Sequence, residues 1–117
     1  MFKYATPEGN KQIKITPEEF IKLYNEDKAV LLDIRLPFEL KAWQIPFALH
    51  IPADELDKKA NSLPKDKIIV TACPMQNRSP FAAMYLNSLG YNAKYLEEGL
   101  ISLMSLLKGG GCKKIKL

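Results

Sequence analysis

The sequence predicts an α/β domain in which helices cover both faces of a central, mainly parallel sheet of about five strands. Two segments, residues 29–34 and 67–72, are nearly continuous apolar runs of strand length. Such runs are typical of strands that are buried on both faces of a sheet. Helical patterns lie between the strands, and this alternation is typical of parallel sheets. The 117 residues suffice for one domain around one core.

The predicted elements have recognisable local signals. Thr16, Pro17 and Glu19 form a helix start, with an N-cap, a first-turn proline and a capping-box glutamate. Gly90 ends a later helix as a C′ residue. In chain order, the predicted elements are a strand at 11–16, a helix at 17–25, a strand at 29–34, a short helical stretch at 37–43, a strand at 48–51, a helical stretch at 54–63, a strand at 67–72, a helix at 78–89, a strand at 93–96 and a helix at 100–107.

Composition and charge exclude several classes of protein. Hydrophobic residues make up 47% of the chain and charged residues 26%, an ordinary composition for a soluble domain. The net charge is +4, but the lysines are scattered and form no basic stripe, so no nucleic acid partner is expected. No segment is long enough to span a bilayer and the first ten residues lack the apolar run of a secretory signal, which predicts a cytoplasmic protein without a membrane partner.

The two cysteines, Cys73 and Cys112, lie far apart in different contexts. This usage fits free thiols in a reducing compartment better than a disulfide framework. Their spacing does not suggest zinc, and we expect no metal and no cofactor.

Cys73 lies where a buried strand meets the start of a helix. Sites in parallel sheets lie at the carboxyl ends of strands, and helix N-termini and cations favour the thiolate form of cysteine. Arg78 supplies a fixed positive charge, and the Ser79 hydroxyl either caps the helix or donates to an anion. We therefore expect Cys73 to be a reactive thiolate, the alternative being a small hydrophobic core residue.

The segment CPMQNRS at residues 73–79 resembles the active-site loop of rhodanese-like sulfurtransferases, commonly a cysteine, two variable residues, glycine, one more residue, arginine and serine. DIRLPFE at 33–39 and IPFALHIP at 45–52 are similar to two further segments of that family, and Gly90-Tyr91 and LEEG at 96–99 resemble its later landmarks. The resemblance covers about residues 12–107, with the motifs in the family's order and spacing.

The resemblance implies a rhodanese-like domain over residues 1–108, followed by a flexible basic tail at 109–117. It implies a sulfurtransferase whose Cys73 accepts sulfane sulfur as a persulfide. The donor is thiosulfate, polysulfide or a small-molecule or protein persulfide, and a thiophilic acceptor such as cyanide, a thiol or a partner protein removes the sulfur. The substrate-binding residues implied are Met75, Gln76, Asn77, Arg78 and Ser79.

Two alternatives to an active sulfurtransferase remain open. The first is a catalytically weak sulfur carrier or interaction module. The second is an enzyme with phosphatase or arsenate reductase chemistry. Four residues separate Cys73 from Arg78, a spacing that resembles sulfur-transferring members, whereas the related dual-specificity phosphatases have one residue more.

The loop also departs from the family pattern. Gln76 occupies the usual glycine position, and Pro74 has no N–H to offer a bound anion. Residues 74–77 carry no positive charge, so thiosulfate is expected to be a poor donor. Trp43 and Phe47 place aromatic rings either at the pocket wall or in the core.

Five further residues have candidate roles. Asp33 and Arg35 end a central strand, where the pair either orients Arg78 and the neighbouring loops or forms a structural salt bridge. Glu39 is expected to be a structural anchor and His50 a structural or surface residue. Cys112 in the tail is either a second sulfur acceptor or resolving thiol, or incidental.

Overall fold

The computed structural model describes residues 13–41, 45, 47–73 and 78–108. Five strands form one sheet in the order β1-β5-β4-β2-β3, and every strand pair is parallel. The predicted fold class is therefore confirmed. The elements are β1 (Lys14–Ile15), α1 (Pro17–Asn25), β2 (Ala29–Asp33), a 3-10 helix (Pro37–Lys41), β3 (Leu49–His50), a helical segment made of a 3-10 turn (Ala53–Glu55), α2 (Leu56–Lys59) and a second 3-10 turn (Ala60–Ser62), β4 (Ile68–Ala72), α3 (Ser79–Ser88), β5 (Ala93–Leu96) and α4 (Gly99–Lys108).

Local sequence signals fix the start of α1. The Thr16 hydroxyl accepts a hydrogen bond from Glu19 N at 3.1 Å, and Thr16 N donates to Glu19 Oε1 at 3.3 Å. This is the reciprocal capping box, and it satisfies two backbone donors that have no partner inside the helix. The helix predicted at 17–25 is confirmed at both ends.

The two most buried strands, β2 and β4, are paired in register from Ala29 opposite Ile68 to Asp33 opposite Ala72. Beyond this pairing, Ile34 N donates to Ala72 O at 3.1 Å. Because parallel strands end at the same edge, Asp33 and Cys73 come to one edge of the sheet. The register therefore brings two predicted site segments together.

Helices cover both faces of the sheet and enclose two hydrophobic clusters. The first cluster lies under α2 and α3 and includes Leu56, Ala83 and Cys73. The second lies under α1 and α4 and includes Phe20 and Leu103.

Three details differ from the sequence prediction. The stretch after Pro37 is a 3-10 helix with no buried residue, and β3 is a two-residue exposed strand. Phe81 and Leu89 share the apolar spacing of the predicted helix, yet they are 68% and 43% exposed. Helical spacing identifies a helix, but α3 has an apolar residue on more than one face. Within the described part of the chain, no helix is long and apolar enough to cross a membrane.

Candidate active site

Cys73 follows β4 directly and is fully buried. Its carbonyl oxygen accepts a hydrogen bond from Leu100 N, in the first turn of α4, at 2.8 Å. The chain reaches this position through Glu98 and Gly99, which both have left-handed backbone conformations (φ 59° and 78°). Glycine adopts such a conformation without steric cost, whereas glutamate does so less readily. The turn before α4 therefore fixes the backbone of Cys73.

The guanidinium of Arg78 is paired with Glu39. Its Nη1 and Nη2 donate to Glu39 Oε1 and Oε2 at 2.7 and 2.9 Å, which is a bidentate ion pair. Hydrogen bonding to Glu39 raises the pKa of Arg78, with a smaller electrostatic contribution from Cys73. The cation predicted near Cys73 is thus present, but a carboxylate offsets part of its charge.

Glu39 was expected only to anchor the structure, and its pairing with Arg78 was not predicted. The hydrogen bonds from Arg78 lower the pKa of Glu39 from 4.5 to about 2, assisted by Leu36 N, which donates to Glu39 Oε1 at 3.0 Å. Glu39 lies on the 3-10 helix that follows β2. The sequence held one signal for this pairing. Glu39 is a carboxylate that follows β2, the strand next to β4, and a carboxylate in that place is a suitable partner for the cation Arg78.

Asp33 and Arg35 form a buried ion pair. Arg35 Nη2 donates to Asp33 Oδ2 at 2.7 Å, and Arg35 Nε and N donate to Asp33 Oδ1, each at 3.0 Å. His50 Nε2 lies 2.7 Å from the carbonyl oxygen of Arg35, in agreement with a structural role for that histidine. This arrangement supports the structural interpretation of the pair. The positive charge of Arg35 also contributes to the lowered pKa of Glu39, after the larger effects of Arg78 and Leu36.

Ser79 begins α3, and its hydroxyl is buried without a hydrogen-bond partner among the described residues. The N-cap position of α3 is Arg78, which makes no side-chain cap. The Ser79 carbonyl accepts from Thr71 Oγ1 at 2.9 Å and ties the helix start to β4. Two roles were predicted for the Ser79 hydroxyl. Capping of the helix is not observed, and donation of a hydrogen bond to an anion stays a prediction.

Several predicted site residues lie outside the described residues, namely Pro74, Met75, Gln76 and Asn77 of the loop, Trp43 and Cys112. Their roles stay predictions. Phe47 is described, and its ring lies 5.4 Å from that of Tyr24, among the residues of the second cluster. Its position supports the packing interpretation over the pocket wall.

These observations define an α/β domain with a parallel sheet, and they place the candidate site at the carboxyl edge of that sheet, around Cys73. The chain belongs to the rhodanese-like domain family, since the family's sequence profile matches residues 16–104. The family predicted from the motifs is therefore confirmed.

Individual proteins show the same relationship. A sulfurtransferase of Allochromatium vinosum is 34% identical over 70 residues, which is 60% of this chain and 65% of the relative. The crystal structure of a rhodanese-related protein from Thermoplasma volcanium superposes with a TM-score of 0.68 at 34% identity, covering 79% of this chain and 90% of that one. The human single-domain sulfurtransferase TSTD1 gives a TM-score of 0.70 at 28% identity, covering 80% and 96%.

Proposed function

We propose that the protein is a sulfurtransferase in which Cys73 takes up sulfane sulfur as a persulfide and passes it to a thiophilic acceptor. The observation that carries the proposal is the position of Cys73, buried at the carboxyl end of β4, with Arg78 following five positions later at the start of α3. The partnerless Ser79 hydroxyl at the same helix start adds a donor for an anion. A helix N-terminus and a cation both stabilise negative charge on sulfur. Relatives named as sulfurtransferases support the same activity.

The proposed reaction has two balanced displacements. The Cys73 thiolate attacks the outer sulfur of a donor persulfide, the donor S–S bond breaks, and its electron pair leaves on the donor as a thiolate. An acceptor nucleophile then attacks the outer sulfur on Cys73, the new S–S bond breaks, and Cys73 returns as a thiolate. The outer sulfur carries its proton to the product or releases it to solvent. No external oxidant or reductant is required.

The charge around Cys73 favours some donors over others. Arg78 is paired with Glu39, so a dianion such as thiosulfate or a phosphate ester meets little net positive charge among the described residues. Organic persulfides, RSS−, carry a single negative charge on the reacting sulfurs and need less compensation. We propose these as the preferred donors, and the same argument disfavours phosphatase and arsenate reductase chemistry.

The test is the mass of the intact protein after incubation with cysteine persulfide or with thiosulfate. Wild-type protein is expected to gain the mass of one sulfur atom, faster from cysteine persulfide, and Cys73→Ala is expected not to gain it. Peptide mapping then shows whether any sulfur reaches Cys112. Wild-type protein that gains no sulfur from either donor, or that hydrolyses a generic phosphatase substrate at a comparable rate, contradicts the proposal.

A sulfur carrier with weak turnover is the second candidate, and the complete burial of Cys73 favours it. Burial slows the reaction with every acceptor that comes from solution, so a persulfide once formed is released slowly. Single-turnover sulfur release to cyanide, compared with steady-state turnover, separates the two candidates. Sustained turnover supports the enzyme, and one rapid loading followed by slow release supports the carrier.

A further inference from the structure

An open groove of about 410 Å³ lies beside the proposed active site, between α3 and the helical segment that contains α2. Leu56 and Ala82, both buried, form its floor, and Tyr85 is half-buried along it. Arg78 also lines it. Since Arg78 interacts electrostatically with Cys73, a molecule that occupies the groove lies next to the proposed site.

Exposed aromatic residues lie close in the chain to both members of the Glu39–Arg78 pair. Phe81 lines the groove and is 68% exposed, and Phe38, next to Glu39 in the chain, is 67% exposed. Single exposed apolar residues are common on protein surfaces and need no explanation. Here, however, each ring lies within three positions of a member of the Glu39–Arg78 ion pair. Aromatic residues of this kind are enriched at protein–protein interfaces.

The charge of the groove is opposite to that of the chain. Asp54 and Asp57 both line it and are both exposed, and neither forms an ion pair with another described residue. The chain as a whole carries a net charge of +4. The groove is therefore a locally acidic, apolar surface that complements a positively charged partner.

A second depression of about 310 Å³ continues the groove past Tyr85 and Asp57 to Leu89. Lys58 and Lys65 border this far part. From Arg78 to Leu89 the helix rises about 16 Å, enough for roughly five residues of extended chain. The carboxylates thus line the half of the groove that adjoins Arg78.

We propose that this groove docks the protein that exchanges sulfur with Cys73. The segment bound has an apolar side chain beside lysines or arginines, within a few residues of the reacting cysteine. The apolar side chain lies against Phe81 and Tyr85, and the cations face Asp54 and Asp57. This inference rests on the proposed sulfurtransferase function and adds the chemistry of the partner.

The test uses two synthetic peptides as sulfur acceptors from protein loaded with polysulfide. Each peptide has one cysteine and one nearby leucine, and the two differ only in carrying three lysines or three glutamates. We expect wild-type protein to transfer sulfur to the lysine peptide with a kcat/KM at least about tenfold higher, equivalent to the ~1.4 kcal/mol of a tenfold ratio. The net charge of the chain alone favours the glutamate peptide. A preference for the lysine peptide therefore shows the effect of the groove and not of the net charge.

Charge reversal supplies the matched variants. Asp54→Lys/Asp57→Lys is expected to invert the preference, whereas Glu18→Lys/Asp66→Lys, which makes the same change in charge at exposed positions outside the groove, is expected to retain it. Loss of the preference in both double variants, or its absence in loaded wild-type protein, contradicts the docking proposal. Absence of sulfur loading on wild-type protein contradicts the proposed function instead.

Two outcomes assign the groove to something else. Concentration-dependent dimerisation of wild-type protein that Phe81→Asp abolishes assigns it to a second copy of the chain and overturns the proposal. Equal kcat/KM for the two peptides and for free cysteine assigns the acceptor to small thiols and overturns it as well. Circular dichroism of each variant checks that the fold is retained.

Discussion

Glu39 and Arg78 lie 39 residues apart in the chain and are joined by two parallel hydrogen bonds of 2.7 and 2.9 Å. The pair connects the 3-10 helix after β2 to the start of α3. The carboxylate of Glu39 offsets part of the positive charge of Arg78. In the function we propose, Arg78 therefore has little excess charge to attract a dianion to Cys73.

The Glu39–Arg78 pair predicts a specific dependence of stability on pH. The folded-state pKa of Glu39 is about 2, below its ordinary 4.5. The pair's contribution is therefore complete above pH 4.5 and is lost as the pH falls through about 2. We expect Glu39→Gln to lower the free energy of unfolding near pH 6 by about 1 kcal/mol, because solvent screens this partly exposed pair.

Urea unfolding of wild-type protein and Glu39→Gln at pH 6 and near pH 2 measures this difference. We expect the difference to shrink towards zero at the lower pH. Glu18→Gln changes the same chemical group at an exposed position of α1 and serves as the control. A difference between wild-type protein and Glu39→Gln that does not change with pH contradicts the assignment.

Ser79→Ala separates a role in sulfur transfer from a role in folding. The Ser79 hydroxyl is buried and has no partner among the described residues, so its removal is expected to leave the free energy of unfolding unchanged or slightly higher. If the hydroxyl donates to the anion on Cys73, sulfur release slows by roughly 10- to 100-fold, as for loss of a hydrogen bond to a charged group. Urea unfolding and single-turnover release to cyanide measure the two effects. A variant that is less stable but equally fast indicates a structural role.

The buried Asp33–Arg35 pair is expected to be costly to break on one side. Arg35→Met leaves the Asp33 carboxylate buried without its cation, which costs about 3–5 kcal/mol of unfolding free energy. The double variant Asp33→Leu/Arg35→Met removes both charges and is expected to be more stable than the single variant. Denaturant unfolding of the three proteins tests this order. Equal losses in the single and double variants show that packing, and not the unpaired charge, sets the cost.

The burial of Cys73 predicts that its alkylation depends on the size of the reagent. In a Cys112→Ser background Cys73 is the only thiol. We expect a small haloacetamide to modify it faster than a bulky maleimide, in the reverse of the order found with an unstructured cysteine peptide. Intact-mass time courses at several pH values give the rates and show whether the reactive form is the thiolate. Reaction with both reagents at the rates of the free peptide contradicts the buried position.

The sequence predicted the elements well where local chemistry decides them. The capping box at Thr16 sets the start of α1, and the apolar runs that became β2 and β4 need burial on both faces. The motif around Cys73 also identified the family, whereas the role of Cys73 as the nucleophile stays a prediction. The partner of Arg78 depends on how the segment after β2 folds over the start of α3, which is a tertiary relationship that no local pattern encodes.

The outward position of Phe81 could not be predicted for the same reason, because it depends on tertiary packing. Apolar residues at helical spacing predict a helix, and they are usually read as its buried face. Only the packing of α3 against β4 and β5 decides which of them face the core. Ala82, Ala83 and Leu86 are buried, whereas Phe81 borders the groove beside the site.

The hydrogen bond from Leu100 N to Cys73 O joins the backbone of the proposed nucleophile to the first turn of α4. Any change that shifts the main chain at the cysteine is felt at this single amide proton. Its rate of exchange with deuterium, and its NMR chemical shift, therefore provide an internal reporter of the site. Helix α4 covers the face of the sheet opposite to the cluster that contains Cys73. This hydrogen bond therefore links α4 directly to the backbone of the residue on which we propose that sulfur is carried.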